Sequence, residues 1–151
     1  MDNRIPPPLV ATLFGLLMGF AARYLPGALE LAIEWRIGLA LLVSLAGLGI
    51  CLAGVLSFSR ARTTVNPLKP QAASALVRSG VYRYTRNPMY LGFATVLIAW
   101  SIFLAWPPAL LGVLGFVLYM NLFQIGPEER ALTSLFGEAF AQYCRQVRRW
   151  F

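Results

Sequence analysis

A chain of 151 residues is long enough for one domain, and at 58% hydrophobic against 13% charged it holds more apolar side chains than a soluble core of that size buries. Its formal net charge of +7 sits on Lys and Arg residues that flank apolar stretches, so membrane topology accounts for it and no nucleic-acid partner is expected. The chain has no histidine and no CxxC pair, which excludes a histidine general base, a histidine-based triad and the usual zinc sites, and no metal is expected.

Residues 1–8 are short and polar and end in Pro6-Pro7-Pro8. The first apolar run, Leu9 to Leu25, is about 17 residues, the short end for a membrane span. Arg4 precedes it, but no small-x-small cleavage site follows, so no cleavable signal peptide is expected. Gly15 and Gly19 form a GxxxG, which suits close helix packing within the chain or, as the less favoured reading, a homodimer face. Pro26-Gly27 breaks this helix. The second run, Ile37 to Phe58, is the clearest span, about 22 residues without a charge. Its Gly47, Gly49, Cys51, Ala53 and Gly54 predict a small-residue face for tight packing. Cys51 and Cys144 read as small buried thiols.

Ser59 to Arg86 is a long polar connection containing Arg60, Arg62, Lys69, Arg78, Arg83 and Arg86 and no acid. Pro67 and Pro70 prevent one continuous helix there, though 72–78 has room for a short one. The third run is Met89 to Trp106 and the fourth is Ala109 to Ile125, joined tightly by Trp106-Pro107-Pro108 as a helical hairpin with Trp106 at the far membrane surface. Gly126-Pro127 is expected to end the fourth run and start a last helix over 127–147. Glu128 and Glu129 fall in its first turn, which the helix dipole favours. Leu132, Leu135, Phe136, Phe140, Tyr143 and Val147 recur at helical spacing behind them. The expected fold is therefore all-α: one polytopic membrane domain over 1–151, with four spans and a C-terminal amphipathic helix.

Between the second and third runs, Ser79 to Gly92 reads SGVYRYTRNPMYLG. It concentrates groups that apolar segments exclude: the guanidinium groups of Arg83 and Arg86 and the hydroxyls of Tyr82, Tyr84 and Tyr90. Asn87-Pro88 reads as a helix start, with Asn as N-cap and Pro at the first helical position. The positive end of that helix then faces a basic aqueous loop, a setting that binds anions.

This stretch resembles the signature S/H-G-x-Y-x-x-x-R-H/N-P-x-Y-x-G of integral-membrane methyltransferases, which include the isoprenylcysteine carboxyl methyltransferases and the phospholipid N-methyltransferases. A second block is similar to the rest of that signature: Glu128-Glu129-Arg130-Ala131-Leu132, Phe136-Gly137, Phe140, Tyr143 and Val147-Arg148-Arg149-Trp150. Asn87 stands where many isoprenylcysteine-type relatives carry His, and Asn-Pro-Met-Tyr is closer to the phospholipid type. Gln146 stands where the isoprenylcysteine-type pattern has an Arg that holds the substrate carboxylate, and Arg145 or Arg148 is the candidate to take its place.

The resemblance implies S-adenosyl-L-methionine as methyl donor and a lipophilic small molecule or lipid, entering from the bilayer, as acceptor. Arg86 and the helix start at Asn87-Pro88 suit the donor carboxylate. Glu128 or Glu129 suits its ammonium or ribose hydroxyls. Tyr82, Tyr90 and the helix ends near Gly92 suit the adenine and the sulfonium, the latter by cation–π contact. Arg86 and Glu129 are the expected catalytic residues, with Arg86 and Arg148 toward the acceptor. No GxGxxG follows a strand pattern, so a soluble Rossmann-type methyltransferase is excluded. Amine, carboxylate and thiol acceptors all fit. The alternative reading is a non-catalytic lipid-binding or assembly subunit on the same scaffold.

Eleven of the thirteen Lys and Arg residues fall on the side of the long loop and the two termini, and only Arg23 and Arg36 on the other. That places the loop, both termini and both motif blocks in the cytoplasm, with the spans in a bacterial inner membrane. A cysteine placed at position 69 is therefore expected to resist an impermeant maleimide applied to intact cells. Labelling from outside would reverse the orientation.

Overall fold

The computed structural model describes residues 5–60 and 76–151. The basic residues Arg4, Arg62 and Lys69, the prolines Pro67 and Pro70, and most of the expected short helix over 72–78 lie outside the described residues. Among the described residues the chain is all helical, with no strand. In order come α1 (Pro7–Tyr24), α2 (Ile33–Arg60), a 3-10 turn (Gly80–Arg83), α3 (Pro88–Leu104), a second 3-10 turn (Pro107–Ala109), α4 (Leu110–Tyr119), a π-helical segment (Met120–Ile125), α5 (Gly126–Phe136) and α6 (Glu138–Gln146).

Among the described residues three helices are long and apolar enough to cross a membrane: Pro7–Tyr24, Ile33–Arg60 and the continuous run Pro107–Phe136. The remaining apolar helix, Pro88–Leu104, has 17 residues. It is apolar along its whole length and packs against α1, α2 and α4. The outward faces of α1, α2 and α4 are leucine-rich and exposed, as at Leu16, Leu42, Leu45, Leu111 and Leu118. Such a surface suits lipid and not water.

The interface of α2 with α3 is the most extensive. Along α2 the inward residues Ala40, Gly47 and Gly54 recur every seven, a seam of small side chains like that of a coiled coil. A Cβ on Gly47 would lie 2.9 Å from the Gly92 carbonyl, and a Cβ on Gly92 would collide with Cys51 Sγ and the Gly47 carbonyl. Gly49, expected on the same face, points away from every other element. Gly15 and Gly19 turn toward α3, where their Cβ positions lie 3.7 Å from Leu97 and 3.3 Å from Trp100. The GxxxG face is thus taken up within the chain. Phe14 packs edge-on against Phe116, and Met18 against Gly112, so α1 and α4 run antiparallel.

At the end remote from the motif, α3 stops at Ala105, a left-handed residue at φ 49°. Its carbonyl accepts the Leu29 N–H at 2.7 Å. Trp106, at this same end of the bundle, is buried within the protein, and its indole N–H donates to the Pro26 carbonyl at 2.9 Å.

Two expectations for the C-terminal half are corrected. Gly126-Pro127 does not end the fourth run, since the helix continues from 107 to 136. A proline ring inside an α-helix clashes with the carbonyl four residues back and removes a donor. Here the turn before it widens, and the Gly126 N–H reaches the Asn121 carbonyl five residues back. The single helix expected over 127–147 is instead two, split at Gly137, whose φ of 50° and ψ of −125° suit only glycine. The split turns α6 back so that Phe140, Tyr143 and Val147 bury against Leu76, Leu132 and Phe136.

Gly92→Ala is expected to cost about 1–3 kcal/mol through overpacking. Gly49→Ala, with nothing near its Cβ, should be neutral or slightly stabilising. Thermal unfolding of the purified variants in one detergent checks this, and equal melting would show that the close approach does not govern α2–α3 packing.

Candidate functional site

Three segments meet at the motif end of the bundle: the turn into α3, the π segment with the start of α5, and the tail after α6. The turn into α3 is fixed by Gly80 at φ 62°, where a Cβ would come 2.7 Å from Ser57 Oγ. Tyr82 is buried there, edge-on to Phe58 with centroids 5.2 Å apart. Its carbonyl accepts the Tyr143 hydroxyl at 2.7 Å, which anchors α6 to the turn. Burial first, then Tyr143 and Glu128, pushes the Tyr82 hydroxyl well above its ordinary range. Burial does the same to Tyr143 against an opposing effect from Arg86. Both hydroxyls are thereby favoured in the neutral form.

Thr85, Arg86 and Asn87 fasten the tail. The Arg86 N–H donates to the Arg148 carbonyl at 3.0 Å. Asn87 Nδ2 donates to the Arg149 carbonyl at 3.0 Å, and Thr85 Oγ1 donates to the same carbonyl at 3.2 Å. Asn87 therefore occupies the N-cap position without capping: its side chain bonds no N–H of α3. The amide is spent on the tail instead.

Arg86 is 14% exposed in its side chain and pairs with Glu129 at 3.2 Å. Its Nη1 also contacts Cys144 Sγ, while its Nε is buried with no partner among the described residues. Arg149 grips Glu129 from the other side with two parallel bonds, Nε to Oε1 at 3.1 Å and Nη2 to Oε2 at 2.5 Å. The bond to Glu129 holds the Arg149 guanidinium even further above its ordinary range. Its Nη1 donates to Asn121 Oδ1 at 3.2 Å, and the Trp150 indole N–H donates to the same oxygen at 3.2 Å. Glu129 thus accepts from two guanidinium groups. Beside it, Glu128 accepts the Tyr90 hydroxyl at 2.6 Å and Gln124 Nε2 at 2.8 Å.

Of the expected site residues, the structure brings together Tyr82, Arg86, Asn87, Pro88, Tyr90, Glu128 and Glu129. It separates two. Gly92 lies a turn further into α3, pressed against Cys51 and Gly47 of α2. Arg148 contributes its carbonyl, but its side chain is exposed and makes no ion pair among the described residues. The tail is extended at Val147, φ −125° and ψ 131°. Side chains alternate in extended chain, so with Val147 buried it is residue 149, not 148, that points inward. That signal was present in the apolar character of Val147. Asn121 and Gln124 were also missed. They are the amide side chains of an otherwise apolar run and fall with Glu128 on one helical face, a pattern that marks function inside membrane segments.

Arg149→Ala should lower stability by about 1–3 kcal/mol, since it removes charge-assisted bonds at a partly exposed site. Arg148→Ala should stay within about 0.5 kcal/mol. Thermal unfolding in detergent compares them, and equal losses would mean that Glu129 does not hold the tail.

The chain is similar to known proteins over much of its length. An uncharacterized protein of Haemophilus influenzae is 45% identical over 62 residues, 41% of this chain and 98% of that protein. The family model for phospholipid methyltransferase matches residues 35–139, a segment that contains α3, Arg86, Glu128 and Glu129. With more than half of its length so matched, the chain belongs to the phospholipid methyltransferase family of membrane methyltransferases.

Proposed function

We propose that this protein transfers a methyl group from S-adenosyl-L-methionine to a lipophilic small molecule or lipid at the cytoplasmic face of a bacterial inner membrane. The observation that carries the reading is the Arg86 guanidinium, packed at the head of α3 with a buried Nε that has no partner among the described residues. An unsatisfied buried donor is costly, more so on a cation, and a bound carboxylate removes that cost. The first turn of α3 adds to the fit. Because Asn87 is turned to the tail, its side chain does not cap that turn, and the N–H groups there suit an anion.

The donor, when bound, supplies an electrophilic methyl group on a sulfonium. In-line displacement then needs alignment and exclusion of water more than acid–base chemistry. Arg86 and the start of α3 at Asn87 and Pro88 hold the donor carboxylate. Glu128 takes the ammonium or ribose hydroxyls, with Tyr90 and Gln124 fixing its orientation. Tyr82 and Tyr90 supply neutral aromatic walls. Glu129 orients Arg86 and Arg149 and keeps two like charges at close quarters. The acceptor enters from the bilayer, and an anionic group on it pairs with the exposed Arg148. An amine, a carboxylate or a thiol on such a molecule can be the nucleophile.

Calorimetry with S-adenosylhomocysteine on detergent-solubilised protein tests the reading. Binding is expected, weakened about tenfold or more in Glu128→Ala by loss of a charge-assisted bond. No affinity at millimolar ligand would favour a non-catalytic lipid-binding or assembly subunit. Arg86→Lys keeps the charge but loses the planar fork, and should insert normally yet lose most turnover. Arg83→Lys, at an exposed position nearby, should be nearly silent. Equal activity of the two at matched expression would reduce Arg86 to a topological charge.

A further inference from the structure

Away from the motif end, α2 and α3 part to leave an apolar groove of about 270 Å³ lined by Ile37, Ala40, Leu41, Ser44, Val96, Ala99, Trp100 and Phe103. Small residues make its floor, with Ala99 1% and Ala40 9% exposed. Its aromatic wall is held in place at both ends. Trp100 stacks on Phe103 with ring centroids 5.3 Å apart and 16° between planes, and the Trp100 indole N–H donates to the Gly15 carbonyl at 2.9 Å. Arg36 sits over the Phe103 ring at 5.5 Å, and its Nε donates to the Phe103 carbonyl at 2.7 Å. Its Nη2 donates to the same carbonyl. Its Nη1 makes no bond among the described residues, and the guanidinium has no carboxylate partner there.

The groove does not lead to the methyltransferase site. Between them lies the contact of Gly47 with Gly92, where not even a methyl group fits. Whatever the groove holds is therefore neither the donor nor an acceptor on its way to Arg86. Its shape and chemistry suit one molecule class: an open apolar groove facing the bilayer on its Ile37 and Leu41 side, with a fixed cation beside its Phe103 end.

We propose that this groove binds an anionic phospholipid of the leaflet opposite the site, one acyl chain lying on Ala40 and Ala99 and the phosphodiester meeting Arg36. The selectivity comes from charge. The apolar lining accepts any chain, whereas a guanidinium already anchored by the Phe103 carbonyl is pre-oriented to bind phosphate oxygens and favours a lipid with net negative charge. The bound chain fills a gap beside α3, so it steadies the helix that carries the site without touching the site itself.

Native mass spectrometry of protein reconstituted with equal phosphatidylglycerol and phosphatidylcholine tests this. Wild type should retain one phosphatidylglycerol in preference to phosphatidylcholine. Arg36→Gln should reduce that preference about tenfold, the loss of one charge-assisted bond, while Arg36→Lys keeps most of it. Ser44→Phe, which fills the groove from its α2 wall, should abolish retention of either lipid and leave affinity for S-adenosylhomocysteine unchanged. Equal retention of both lipids by wild type would overturn the proposal. So would unchanged selectivity in Arg36→Gln, or a second copy of the chain taking the place of lipid.

Discussion

The site depends on the fastening of the chain's tail to the head of α3. Donors on Thr85, Arg86 and Asn87 reach the carbonyls of Arg148 and Arg149, which have no partner in any helix. In a low-dielectric setting each such carbonyl is costly to leave unbonded, so the pairing sets the register of the tail to the residue. Register decides which arginine meets Glu129. With the tail held this way, Arg149 completes a cluster of two guanidinium groups around one carboxylate, and Trp150 joins it through Asn121. Shifted by one, the inward position would pass to Arg148 and the tail would lose its hold.

That fastening works only because two irregular backbones deliver the parts. Gly137 reverses the chain so that α6 runs back over the turn at Tyr82. The wide turn over Met120–Ile125 lets the long helix pass Pro127 unbroken and keeps Asn121, Gln124 and Glu128 on the side of α3. Both deviations are local and both flank the acids. Strain and irregularity of this kind gather where side chains must be aimed.

Much of the architecture was legible from composition. Long uncharged runs gave the apolar helices, and the charge split distinguished the two ends of the bundle. The two motif blocks marked most of the residues that converge. What was not legible depended on where individual side chains go. Asn87 has the chemistry of a helix cap, yet a competing acceptor, the Arg149 carbonyl, takes its amide; no local rule ranks a tail 62 residues away against the helix beside it. Pro127 has the chemistry of a helix end, but the tertiary contacts of Ile125 and Gln124, both buried, favour keeping the helix and widening one turn. Gly92, read as part of a ligand motif, owes its lack of a side chain to Gly47 and Cys51 across the interface. The choice between Arg148 and Arg149 was open to a simple alternation argument from Val147 once the tail was known to be extended.

The unbroken run from Pro107 to Phe136 also sets a depth. Thirty helical residues extend about 45 Å, whereas the hydrocarbon of a bilayer is about 30 Å thick. With the apolar part embedded from the Pro107 end, the hydrocarbon runs out after about twenty residues, at the level of Gly126 to Glu129. The two glutamates then sit at the height of lipid headgroups, neither in bulk water nor among acyl chains. A water-soluble molecule reaches that layer from one side and a membrane-bound one by lateral diffusion, so neither has to leave its own phase to meet the other.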